Sequence, residues 1–97
     1  MTYLDSFADK IRASVPAEVG VPDGSDNLFL LYALLGRSKG LEVSLRDVHD
    51  AWTIWMQMQG EEHSSMIPFE DLDAETQAED EPFLQAIKTA ARDWKFD

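Results

Sequence analysis

Apolar positions recur at helical spacing along most of the chain. Leu4, Phe7, Ile11 and Val15 follow one another at intervals of three, four and four, which places them on one face of a first helix. Pro16 ends that helix, and the stretch PAEVGVPDG, with two prolines and two glycines, reads as a loop. Ser25 or Asp26 then offers an N-cap to a second helix, DNLFLLYALLGRSKG. That helix is apolar nearly all round for two turns, so it is expected at the centre of the core. Gly40 suits its C-terminal cap, and Arg37 and Lys39 suit the negative end of its dipole.

A short extended LEV follows, and Ser44 opens S-L-R-D, a capping-box start in which Asp47 stands in for the usual Glu. A third helix is therefore expected from Leu45 to about Gly60. Along it Leu45, Val48, Trp52, Trp55, Met56 and Gln59 share a stripe roughly 120° wide, with His49 at its edge. Trp52 lies mid-stripe and is assigned to the core, whereas Trp55, at the margin, is assigned to a contact surface. Ile54 and Met58 fall on the opposite side. An apolar patch there predicts a helix covered on two faces, the second by its own chain or by a second copy.

The segment EEHSSMIPFEDLD reads as an irregular loop with Met66, Ile67, Phe69 and Leu72 as anchors. Asp73 can cap a short acidic turn, AETQAED. Asp80 and Pro82 can open a last helix that carries Phe83, Leu84, Ala86, Ile87, Ala90, Ala91 and Trp94 on one side. The expectation is an all-α, compact four-helix single domain over residues 1–97, with an irregular Pro/aromatic loop between the third and fourth main helices. No segment alternates as a strand would, and no internal repeat is visible.

Composition narrows the functional classes. At 97 residues with 44% hydrophobic and 28% charged positions, the chain can bury one modest core. It has no cysteine, so disulfides and thiolate metal sites are ruled out. Its N-terminus lacks a secretory pattern, and its longest apolar run, Leu28 to Leu35, is far short of the ~20 residues of a membrane span. A soluble cytoplasmic protein is the expectation. Nineteen acidic residues against eight basic give a net charge of -11, which disfavours direct binding of nucleic acid. No Lys or Arg occurs between Arg46 and Lys88, an interval dense in Asp and Glu.

The stretch from His49 to Leu72 gathers both histidines, two of the three tryptophans and three of the four methionines. No nucleophile setting, glycine-rich phosphate loop or HExxH spacing accompanies them, and two histidines fourteen residues apart do not make a zinc site. An enzyme, a metal centre and a bound cofactor are therefore not expected. The direct structural role for His49 is a hydrogen bond to backbone in the following loop, fixing the turn that Pro68 and Phe69 complete.

His49 and Trp52 on a helix, then Gly60, His63, Met66, Ile67, Pro68, Phe69, Leu72 and Asp80, form an order that resembles the RyR domain, the repeat named after ryanodine receptors. The resemblance covers about residues 45–92. Two departures stand out: Gly60 is not followed by the aromatic-glycine turn of RyR repeats, and Gln77 stands where they carry Lys. The order KG-x-x-V-S-x-x-DVH-x-AW is also similar to small proteins carried by actinobacteria and their phages.

The resemblance implies a non-enzymatic recognition module for a small ligand or protein partner. Its contact surface would lie where the third helix meets the 61–72 loop, formed by His49, Trp52, Trp55, His63, Pro68 and Phe69. Nucleotide-like ligands are implied by the family alone, and the lack of nearby cations makes a phosphate-rich one hard to hold. Two rival readings stand beside it. One is an acidic decoy presenting carboxylates in place of phosphates to a basic host protein. The other is a homodimer joined through Ile54 and Met58 across a two-fold axis.

Overall fold

The computed structural model describes residues 1–94, and among them every regular element is helical. Helix α1 spans Tyr3–Ser14, α2 Asp26–Lys39 and α3 Leu45–Met58, followed by a single-turn α4, Ala74–Ala78, and by α5, Glu81–Asp93. The expected four main helices are thus α1, α2, α3 and α5, with no strand among the described residues.

Helix starts follow local chemistry. Thr2 and Asp5 exchange side-chain and backbone bonds in a capping box at α1, and Ser44 with Asp47 does the same at α3. Asp47 also takes the Lys39 ammonium at 2.8 Å, tying the end of α2 to the start of α3. Ser25 occupies the N-cap position of α2 but makes no capping bond, and its buried hydroxyl has no partner among the described residues. Gly40 ends α2 at φ +58°, as its sequence position predicts. The expected extended LEV is instead a 3₁₀ turn, Gly40–Glu42. Only Val43 of that stretch is buried, so the chain needs one inward side chain there and has no strand partner to pair with.

Helix α2 contacts α1, α3 and α5, and its Leu28, Phe29, Tyr32 and Ala33 meet Phe7, Ile11, Val48, Leu84 and Ile87 in one core. Gly36 lets this happen: a Cβ there would lie 2.8 Å from Cε2 of Phe7 and 3.3 Å from Cγ2 of Ile87. The Arg12 guanidinium lies 4.3 Å from the centre of the Phe29 ring and 2.9 Å from the Asp26 carboxylate, clamping α1 to the first turn of α2.

The tryptophans of α3 trade the places expected of them. Trp55 is only 6% exposed and belongs to the core, while Trp52 is half-buried at its edge. The stripe centre points between α2 and α5, so Val48, Ala51 and Trp55 are the residues that enter, and Trp52 is rotated toward the following loop. Ile54 and Met58 are 48% and 61% exposed, so the chain itself does not cover that face. No helix among the described residues is long and apolar enough to cross a membrane.

Candidate functional site

Residues 59–73 leave α3 and return to it. Gly60, at φ +73°, turns the chain out of the helix. The return is fixed at one buried atom: His49, 3% exposed, donates from Nε2 to the Ile67 carbonyl at 2.7 Å. A carbonyl can only accept, so Nε2 carries the proton. The loop is therefore held by the Ile67 backbone, while the Ile67 side chain is exposed and does not act as the anchor its apolarity suggested; Pro68 beside it is exposed as well. Phe69, Met66 and Leu72 are half-buried.

Two further ties hold the loop. Arg46 meets Glu70 at 2.9 Å, linking α3 to the 3₁₀ turn Phe69–Asp71. From the far side, the Gln77 amide donates to the carbonyls of Phe69 and Leu72 at 2.9 and 3.2 Å. Gln77, set against the lysine of the resembling repeats, has a structural task here: it joins α4 to the loop through two backbone acceptors.

These ties line up four rings in sequence. Phe69 lies 6.3 Å from His49; His49 stacks on Trp52 at 5.7 Å with 27° between planes; and Trp52 meets the edge-on His63 at 5.5 Å and 86°. The Ser65 N–H donates to Nδ1 of His63 at 3.0 Å, which leaves the Nε2 edge of that ring as the free one.

Behind the ladder is a cavity of about 150 Å³ that opens to solvent. His49, Trp52 and His63 form one wall. Ser65 and Thr76 contribute small polar side chains, and Glu79 and Asp80 contribute carboxylates. A void of this size is below the roughly 300–1,000 Å³ of typical small-molecule sites and admits about one ring-sized group.

Asp80 is the residue that sequence reasoning left out of the site, although it was noted both as a helix start and as a motif position. It does occupy the N-cap of α5, yet its side chain makes no capping bond. Asp73 at the N-cap of α4 shows the usual behaviour, accepting from the Thr76 N–H at 2.8 Å. The Asp80 carboxylate lines the cavity instead and has no hydrogen bond or ion pair among the described residues. Burial pushes its pKa up; His49 nearby pulls the other way, and neighbouring Glu79 adds to the rise. A residue that gives up its local preference and remains unpaired beside a cavity marks a place where local rules are broken, as functional sites often do.

Of the six expected contact residues, His49, Trp52 and His63 converge on this cavity. Trp55 is in the core and Pro68 is on the outside of the loop. Phe69 faces the other way, into an open groove with Val43, Leu45, Leu84, Arg46 and Lys88. Among the described residues no three His, Asp or Glu side chains are grouped so as to hold a metal ion.

The chain matches, over residues 2–92, the family described as "Domain of unknown function (DUF7701)", and it belongs to that family. No curated protein and no solved structure matches it.

Proposed function

We propose that this member of the DUF7701 family is a non-enzymatic recognition module, RyR-like in its motif order, that takes a ligand group in the cleft between α3, the 61–72 loop and the start of α5. The observation that carries the reading is the convergence of His49 and Trp52 of α3, His63 of the loop and Asp80 at the start of α5 on one small cavity beside the His49–Ile67 bond. A rigid polar cavity beside an indole is suited to recognition, because its groups are ordered before the ligand arrives. Its size favours a single side chain or head group over a whole substrate, which supports binding over catalysis.

Thermal shift against a panel of nucleotides, metabolites, organic cations and basic peptides tests the reading. A native-state ligand raises Tm, and the rise must disappear in Trp52→Ala and His63→Ala. A panel without any shift, or shifts that survive both substitutions, contradicts it.

A second reading has its own support. Ile54 and Met58 stand one turn apart on α3, both well exposed, which suits a homodimer interface across a two-fold axis. Sedimentation velocity of the wild type and of Ile54→Lys/Met58→Lys tests it. A concentration-dependent dimer lost in the variant supports this reading, and a monomer at high concentration removes it.

A further inference from the structure

Resting on the cleft proposed above, we infer that its ligand is a guanidinium group, presented by an arginine side chain of a basic protein partner. Three independent features point there. Asp80 lines the cavity, its carboxylate left without a hydrogen bond or ion pair among the described residues and making no capping bond at the helix end it precedes. Glu79 doubles the negative charge on the same wall. No Lys or Arg lies between Arg46 and Lys88 in the sequence, and Arg46 is engaged with Glu70, so the segment that builds the cavity supplies no lysine or arginine to pair with these carboxylates.

The remaining walls choose among cations. A metal ion needs several ligands converging on one point, and such a group is absent among the described residues. The acceptors here come from several residues and do not form a metal-binding group: Asp80, Glu79 and Thr76 line the cavity together with the Trp52 indole. A planar fork of five N–H donors can reach acceptors in several directions at once. It also rests favourably against an indole and is less strongly hydrated than an ammonium, so its desolvation is less costly. The volume of about 150 Å³ accommodates the head group and its nearest methylenes. A protein partner is favoured over a free metabolite by the net charge of -11, which steers a basic surface toward this face before any single contact forms.

The experiment is an NMR titration of the full chain with N-acetyl-arginine amide, with its neutral isostere N-acetyl-citrulline amide, and with the peptide acetyl-Gly-Arg-Gly-amide. The expected result is saturable shifts at the Trp52 indole N–H and at the His63 and Asp80 amides with both arginine probes. Citrulline should leave them unchanged, and Asp80→Asn should weaken binding roughly tenfold or more, as loss of a charge-assisted bond does. Glu79→Gln, at an exposed position, serves as the second variant should Asp80→Asn fold poorly, and it must weaken binding as well. Tighter binding of the peptide than of the amide assigns the group to a protein chain. Equal binding overturns that assignment in favour of a free guanidino compound.

Equal shifts with citrulline, or diffuse shifts that persist in both variants, overturn the guanidinium inference. If another class of compound moves the same resonances, the cleft still binds and only the ligand class is wrong. If nothing in the panel moves them, the cleft reading itself fails.

Discussion

His49 and Ile67, eighteen residues apart, meet through a 2.7 Å hydrogen bond from a buried imidazole to a backbone carbonyl, and this bond sets the position of the loop that walls the cleft. His49→Ala would leave that carbonyl without its partner. The expected cost is about 1–3 kcal/mol in denaturant unfolding. Amide exchange should accelerate through residues 63–69, while the amides of α1 and α2 keep their protection. Unchanged exchange in the loop would mean that Arg46, Glu70 and Gln77 hold it unaided.

The two tryptophans of α3 should separate in their effects. Trp55→Ala empties a core position and is expected to cost about 3–5 kcal/mol, read as a large fall in Tm. Trp52→Ala, at a half-buried site, should cost markedly less and abolish ligand-induced shifts. Equal losses of stability would place both indoles in the core.

Gly36→Ala drives a methyl group against the Phe7 ring, whose atoms lie at 2.8 and 2.9 Å from the ideal Cβ position. Overpacking of this kind is expected to cost about 1–3 kcal/mol. The double variant Gly36→Ala/Phe7→Leu should recover part of the loss, a non-additivity that thermal or denaturant melts of the four proteins in the cycle would read.

Asp80 carries a stability prediction whose sign differs from that of most carboxylates. Burial raises its pKa in the folded protein, so the charged form is disfavoured by folding and protonation favours the native state. The charge of Asp80 therefore opposes folding at neutral pH, and that opposition fades as pH falls through its raised folded value. His49, His63 and Glu79 share the cavity with it, and Tyr32 lies near enough for the Asp80 charge to add to the rise that burial imposes on its phenol. Asp80→Asn is expected to raise Tm at pH 7, with the gain shrinking in acid. Asp47 behaves oppositely: burial alone would raise its pKa, and the bonds from Lys39 and Ser44 outweigh that and lower it. Its stabilisation is present above the unfolded carboxylate range and is lost as pH falls through the lowered folded value. A fall in Tm for Asp80→Asn at pH 7 would contradict its assignment as an unpaired, function-directed carboxylate.

Most of the fold was legible in the sequence because it rests on periodicity and capping. Leu4, Phe7 and Ile11 mark the buried face of α1, and Ser44 with Asp47 marks the start of α3 to the residue. The bond from His49 to the loop backbone was also readable, since an imidazole at the margin of an apolar stripe needs a polar partner close by. The order of burial of Trp52 and Trp55 was not. Both lie on a stripe about 120° wide, and which edge turns inward depends on how α3 crosses α2 and α5, a tertiary quantity that spacing does not encode.

The role of Gly36 was equally hidden, because nothing local distinguishes a glycine that admits a distant phenyl ring from one that merely tolerates a helix. Asp80 does start α5 as the sequence indicates, but its place in the cavity was hidden for a related reason. An acidic residue before a proline-started helix looks like a cap, and only the three-dimensional arrangement shows that its side chain makes no capping bond and that the residue lines a cavity. Ile67 shows the same limit from the other side: apolarity suggested a buried side chain, and the anchor is its main-chain oxygen.

The most direct measurement is a nuclear Overhauser experiment on the free protein, observing the aromatic protons of Trp52, His49 and His63. Ring separations of 5.5 and 5.7 Å predict clear cross-peaks from the Trp52 indole to both imidazoles with no ligand added. A His63 ring with unstructured chemical shifts and no cross-peak to Trp52 would show that the cleft is not formed in advance, and would contradict the account at its centre.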